Sequence, residues 1–131
     1  MRKWILLLLL TGASSTAAAE WVLVGRDDGA GMSIYLDTAT VRSAGGTLKM
    51  WHLIDYRKAQ APENVKPYMS TSVNIEYACG DQRVRSLFVS NHSGNMAAGE
   101  LGYLSSDRGE WGPVSPGSVE AILWNIVCRK R

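Results

Sequence analysis

Two cysteines, Cys79 and Cys128, are the only residues of this chain that can form a disulfide. They follow an N-terminal segment with basic residues, a short apolar run and a small-residue stretch that ends at Ala19, which is the pattern of a secretory signal. We therefore predict cleavage after Ala19 and folding in an oxidising compartment. There, a lone cysteine pair is far more often a disulfide than a catalytic or metal-binding pair. A bridge closing a loop of about fifty residues stabilises a domain by about 4 kcal/mol.

The apolar run of the signal, Trp4 to Leu10, is too short for an ordinary membrane-spanning helix, so we expect removal rather than anchoring. No cysteine lies at the predicted cleavage site, and a lipid anchor is not expected. Residues 20–131 contain no repeat, low-complexity tract or long linker, and we expect them to form a single domain.

Charge does not favour a nucleic-acid partner. The full chain has 14 Lys and Arg and 12 Asp and Glu. Two of the basic residues, Arg2 and Lys3, belong to the predicted signal, which leaves 12 of each sign. A domain without net charge has no general attraction for nucleic acid or anionic membranes.

Alternation of apolar and polar residues predicts antiparallel strands. Met32, Ile34 and Leu36 alternate with polar neighbours and predict one half-buried strand. Residues 47–56 carry large side chains on both faces, as expected of a central strand covered on both sides. These faces are Met50, His52, Ile54 and Tyr56 on one side and Trp51 and Leu53 on the other. Residues 57–67 are predicted to be a polar loop.

The clearest local pattern is a hairpin whose two strands meet at Gly80-Asp81. Counting outward from a tight turn places Cys79 opposite Gln82 and Glu76 opposite Arg85, as an ion pair. The core face of this hairpin then contains Val73, Ile75, Tyr77 and Cys79 opposite Phe88, Ser86, Val84 and Gln82.

A C-terminal helix is predicted from Val119, with Ser115 or Ser118 as its cap. Its apolar stripe is Ile122, Leu123, Ile126 and Val127. The Cys79–Cys128 disulfide would tie this helix to the core face of the sheet. With a further strand at residues 101–104, we predict an α+β domain with an antiparallel sheet of about five or six strands and the helix on one face.

Four short motifs together resemble the surface-adhesin protein E family of Gram-negative bacteria. They are Tyr35-Leu36-Asp37, the stretch Trp51 to Tyr56, Glu76-Tyr77-Ala78-Cys79, and Pro116-Gly117-Ser118 followed by Cys128. The resemblance implies a twisted antiparallel sheet with a C-terminal helix tied to it by a disulfide. In adhesive members it also implies binding to host extracellular-matrix and plasma proteins.

Two surfaces are candidates for partner binding. The first is a basic face of Arg83, Arg85, Arg57, Lys58 and Lys66, suited to an acidic protein segment or a sulfated glycan. The alternative is a solvated sheet face on which Glu76 occupies Arg85. The second is an apolar face of Trp51, Leu53, Leu87 and Val89, which either loops or a second copy would cover. We hypothesise a homodimer through this face.

No set of residues predicts catalysis, a metal site or a cofactor. His52 and His92 are the only histidines, and we interpret them as a satisfied sheet residue and an exposed loop residue. Gly29-Ala30-Gly31 lacks the third glycine of a dinucleotide fingerprint, and Asp27-Asp28 is interpreted as a solvated turn.

The leading hypothesis is therefore an exported, non-enzymatic binding domain that contacts extracellular-matrix or other proteins at the cell envelope. The alternative is a periplasmic accessory domain that binds an envelope protein or a small ligand. The predicted location is the periplasm, the cell surface or the medium.

Overall fold

The computed structural model describes residues 20–129, so the predicted signal peptide, residues 1–19, lies outside them. The strands are β1 (Trp21–Asp27), β2 (Met32–Asp37), β3 (Arg42–Ala44), β4 (Thr47–Gln60), β5 (Tyr68–Ala78), β6 (Arg83–His92), β7 (Leu101–Ser105) and β8 (Gly112–Pro113). The helix α1 is Val119–Arg129, and two 3-10 helices are Thr38–Thr40 and Asn95–Ala97.

All eight strands form one antiparallel sheet with the order β1-β2-β4-β5-β6-β7, with β3 beside β4 and β8 beside β6. The predicted α+β class, antiparallel sheet and C-terminal helix are confirmed. The count of five or six strands was slightly low because β3 and β8 are only three and two residues long. β4 also continues to Gln60, into the segment predicted to be a loop.

One face of the sheet, called here the helix face, carries most of the apolar core. Its buried residues are Ile34 and Leu36 from β2, Leu48 and Met50 from β4, and Ile75 and Tyr77 from β5. Leu123 and Val127 of α1 pack on them, and Leu123 is 1% exposed. Fully burying one such side chain contributes roughly 1.5–3 kcal/mol.

The helix begins where Ser118 caps it, since the Ser118 Oγ accepts a hydrogen bond from the Ala121 amide at 3.1 Å. Of the two predicted caps, Ser118 is therefore the one used. At the other end of α1, Cys128 is bonded to Cys79, with 5.5 Å between their Cα atoms. The disulfide ties the last turn of the helix to the tip of the β5–β6 hairpin, as predicted.

The β5–β6 hairpin has the predicted register near its turn and a different one beyond it. Tyr77 pairs with Val84 and Ile75 with Ser86, as counted from the turn. A register shift between Asn74 and Ile75 then places Phe88 opposite Asn74 and Val89 opposite Val73. The prediction that Phe88 lies on the core face was therefore wrong, because a bulge at Leu87 adds one residue to β6.

The side of the sheet away from α1, called here the opposite face, is closed mainly by polar groups. The 3-10 helix Asn95–Ala97 folds back onto it, where the Met96 amide donates to Asp55 Oδ1 at 2.9 Å. The Ala97 amide donates to the Ser70 hydroxyl at 3.0 Å. Buried polar residues on this face are Asp37, Ser70, Ser72, Glu76 and Ser90.

Candidate protein-binding surface

One edge of the sheet is formed by β7, which carries the most exposed large apolar side chains of the described chain. Leu101, Tyr103 and Leu104 are 53%, 52% and 51% exposed. β7 pairs with β6 on one side and with no described strand on the other. Its outer N–H and C=O groups are therefore available to an added strand.

A loop before β5 adjoins this edge and adds a positive charge. A Cβ added at Gly102 would lie 3.9 Å from the Cβ of Lys66, which is an ordinary van der Waals distance, so the loop lies directly beside β7. A shallow cavity of about 240 Å³ lies between Lys66, Leu101 and Tyr103. We call Lys66, Leu101, Tyr103 and Leu104 the edge surface.

The other four residues of the predicted basic face do not join it. Arg83 is exposed at the hairpin end of β6, and Arg57 and Lys58 are exposed near the far end of β4. Leu48, whose partner Tyr77 lies opposite Val84, precedes Arg57 by nine residues on β4. At about 3.3 Å per residue, Arg83 therefore lies roughly 30 Å from Arg57 and Lys58. The five residues thus occupy separate regions.

Arg85 is held within the opposite face. Its guanidinium lies 2.6 Å from Glu76 and its Cζ lies 4.3 Å from the centre of the Trp111 ring. Burial alone would raise the pKa of Glu76, but hydrogen bonds from Thr47 and Arg85 and the charges of Arg85 and Lys49 lower it overall. The predicted Glu76–Arg85 pair is confirmed. As in the alternative interpretation of the basic face, Arg85 is bonded to Glu76 rather than free to bind a partner.

The predicted apolar face is partly closed by its own chain. Leu53 is 0% exposed, so it offers no contact to a second copy. Trp51 meets Phe88 edge to face, with 5.4 Å between the ring centres. The bulge turns Val89 toward Val73 on the helix face, and Leu87 is the unpaired residue of the bulge itself, so Trp51 is the residue of the four that stays on the predicted surface without being fully buried. The homodimer stays a prediction.

The two histidines lie in strands on opposite faces. His52 is buried, and its Nε2 lies 2.6 Å from the Tyr77 hydroxyl. Burial lowers the pKa of His52 to about 4, against a smaller opposing effect of the backbone at Val73 and Met50. His92 is half-buried in β6 and its Nε2 lies 3.0 Å from Ser72 Oγ, so its assignment to an exposed loop was wrong. Within residues 20–129, no group of three or more His, Cys, Asp or Glu is placed to hold a metal ion.

The turn at Asp27 and Asp28 is held by its own polar contacts. Asp27 Oδ1 accepts from the Ala30 amide at 3.0 Å, and Asp28 forms an exposed ion pair with Arg57 at 3.3 Å. This is the solvated turn that the sequence indicates.

Sequence comparison assigns the family. The sequence profile described as Surface-adhesin protein E matches residues 21–129. The chain belongs to this family. A search of curated protein sequences finds no match.

Three solved structures share the fold. Haemophilus influenzae protein E superposes with a TM-score of 0.62 at 10% identity, covering 83% of each chain. A second crystal form of that protein gives a TM-score of 0.61 at 11% identity, over 85% of this chain and 97% of the other. Protein E from non-typeable Haemophilus influenzae gives 0.58 at 10% identity, over 86% and 84%. Among the residues that the structure describes, no helix is long and apolar enough to span a membrane.

Sequence reasoning placed a strand at residues 101–104 but did not identify it as an exposed edge of the sheet. Exposure of β7 depends on its position at the end of the strand order, which no local pattern reports. The contact between Trp111 and Arg85 was missed for the same reason, since it requires β8 to lie beside β6.

Proposed function

We propose that this chain is an exported, non-enzymatic binding domain that contacts proteins at or beyond the cell envelope. The observation that carries the proposal is the edge surface, with three half-exposed apolar side chains on an edge strand. Family membership supports a protein as the partner. The disulfide supports folding in an oxidising compartment, in keeping with the predicted signal peptide.

The edge surface suits an extended segment of a partner protein. Such a segment adds a strand to β7, so that backbone hydrogen bonds provide affinity and alternate side chains provide specificity. Leu101 and Tyr103 would contact apolar side chains of the segment, and Lys66 would attract an acidic residue beside them. Of the two partners considered for the basic residues, an acidic protein segment fits this mixed surface better than a sulfated glycan.

Binding of the oxidised protein to immobilised extracellular-matrix and plasma proteins, measured by biolayer interferometry, tests this proposal. We expect the double variant Leu101→Asp/Tyr103→Asp to lose at least tenfold in affinity, because it removes the apolar contact and places negative charge where the acidic segment would bind. Ile122→Asp is the matched control, since Ile122 is an apolar residue of similar exposure, 41%, on α1. Equal binding by both variants, or no binding of any matrix protein above background, would contradict the proposal.

Location separates a surface adhesin from a periplasmic accessory domain. Protease treatment of intact producing cells, with a periplasmic protein as control, reports which side of the outer membrane the chain occupies. Cleavage of the chain while the control stays protected supports contact with external proteins. Protection of both directs the search for partners to the cell envelope.

A further inference from the structure

The helix α1 covers only part of the helix face and leaves a cavity beside its first turn. This cavity has a volume of about 460 Å³, within the range of small-molecule sites. It lies between the middle strands of the sheet, the first turn of α1 and the segment before β8. We call it the helix-side cavity.

The walls of the helix-side cavity are largely apolar. They include Ile54, Val73, Ile75 and Val84 from the sheet and Val119 and Leu123 from α1. His52 also borders the cavity, and because burial lowers its pKa to about 4 it carries no charge at neutral pH. The interior therefore favours an apolar group and has no histidine cation to repel a positive ligand.

Two acidic residues from different elements lie at the rim. Glu110 precedes β8 and Glu120 lies in the first turn of α1, and both are exposed. In the described part of the chain neither forms an ion pair. The one basic residue that borders the cavity, Arg85, is engaged by Glu76 at 2.6 Å.

Glu120 has a structural role as well, because a negative charge stabilises a helix N-terminus. Glu110 has no such role, because it lies outside any helix, in the segment before β8. This segment is held to β6 by a hydrogen bond that the Gly109 amide donates to the Ser86 carbonyl. The negative rim is therefore more than a consequence of helix capping.

We propose that the helix-side cavity binds a small organic cation, with an apolar body between the sheet and α1 and an ammonium group between Glu110 and Glu120. The apolar walls bury the body of the ligand, and the two carboxylates select its charge. This site lies apart from the edge surface, and the proposal is independent of the protein partner.

Three probes of the same shape and different charge test the proposal: 4-phenylbutylamine, 4-phenylbutanol and 4-phenylbutyrate. Each is titrated into the oxidised, isotope-labelled protein and followed by amide chemical shifts. The amine is expected to bind most tightly and the carboxylate least, with shifts centred on Val73, Val84 and Val119. Equal binding of the amine and the alcohol, shifts centred elsewhere, or no binding of the amine at millimolar concentration would overturn the proposal.

Variants at the rim separate charge selection from general apolar binding. Glu110→Gln and Glu120→Gln should each weaken amine binding roughly two- to fivefold, which is the worth of one exposed ion pair, and leave the alcohol unchanged. Glu63→Gln is the matched control, since Glu63 is an exposed acid in the loop after β4. If this control weakens the amine as much as the rim variants do, the rim does not select the charge.

A cavity-filling variant, Val119→Phe, tests where the apolar body lies. It should abolish binding of both the amine and the alcohol while the far-UV circular dichroism stays unchanged. Retained binding by the folded variant would contradict the assigned site. Should the variant not fold, Glu110→Gln still decides the proposal, because Glu110 lies outside α1.

Discussion

The helix face of the sheet is closed by a separate element, α1, whereas the opposite face is closed largely by hydrogen bonds and an ion pair. On the helix face, Leu123 reaches the sheet only because the chain returns to it after β8. On the opposite face, Glu76 forms an ion pair with Arg85, which lies directly opposite it in the β5–β6 hairpin. The helix face therefore depends on an element that is distant in sequence, α1. The opposite face depends on the register of neighbouring strands and on paired charges.

Loss of the disulfide should have the largest effect, because it releases the element that closes the helix face. For Cys79→Ser/Cys128→Ser, with cysteines 49 positions apart, we expect a loss of about 4 kcal/mol in the free energy of unfolding. Urea unfolding followed by circular dichroism measures this. Reduction of the native protein is the control and should give a similar loss. A loss below about 1 kcal/mol would mean that the helix face closes without the cross-link.

The second-largest loss of stability is expected when the contact between α1 and the sheet is truncated. Leu123→Ala removes a side chain that is 1% exposed and should cost about 3 kcal/mol in the free energy of unfolding. Ile122→Ala is the control on the same helix, because Ile122 is 41% exposed and should cost less than about 0.5 kcal/mol. Similar losses for the two variants would show that α1 does not close the helix face as described.

The parts of the fold that sequence predicted are those decided over short distances. The turn chemistry at Gly80-Asp81 predicted the pairs from Ile75 to Ala78, and the apolar stripe that follows Ser118 predicted a helix from Val119, where α1 begins. The bulge at Leu87 was not predictable, because nothing in the alternation of β6 marks an extra residue. It exchanged the faces of Phe88 and Val89.

The candidate sites depend on long-range placement and were predicted less well. Arg57 was predicted to lie in the loop that precedes the β5–β6 hairpin, close to Arg83 of that hairpin. It lies instead near the far end of the long strand β4, well away from Arg83. Alternation along β4 places Leu53 on the face away from α1, where an uncovered apolar surface was predicted, but Leu53 is fully buried in the folded chain. Serines at positions 70, 72 and 90 have no distinctive pattern, although their hydroxyls lie on the buried opposite face.

Acid should weaken the helix face before it breaks the ion pair on the opposite face. The pKa of His52 is lowered from 6.5 to about 4, so the unfolded chain binds a proton more readily than the folded one. Stability present above pH 6.5 is therefore lost as the pH falls toward 4, by roughly 2–3 kcal/mol. Urea unfolding of the native protein and of His52→Gln between pH 7 and pH 4 isolates this effect.

His92 provides the control for that measurement, because its pKa is also lowered by burial but it is only half-buried on the opposite face. We expect His92→Gln to keep most of the pH dependence and His52→Gln to lose most of it. The reverse result would assign the acid sensitivity to the opposite face.

The ion pair of the opposite face should give the smallest of these effects and the one that appears at the lowest pH. Glu76→Gln removes the charge that meets Arg85 at 2.6 Å, and we expect a loss of about 2 kcal/mol at pH 7. Arg57→Gln breaks the exposed pair with Asp28 and is the matched control, with an expected loss below about 0.5 kcal/mol.

The sign of the pH dependence distinguishes this pair from His52. Because the pKa of Glu76 is lowered from 4.5, its contribution is fully present above that pH and is lost as the pH falls through the folded-state pKa. The stability difference between the native protein and Glu76→Gln should thus stay constant from pH 7 to about pH 5 and shrink only below it. A difference that already shrinks near pH 6.5 would contradict this assignment, because neither Glu76 nor the folded His52, whose pKa is lowered to about 4, takes up a proton there.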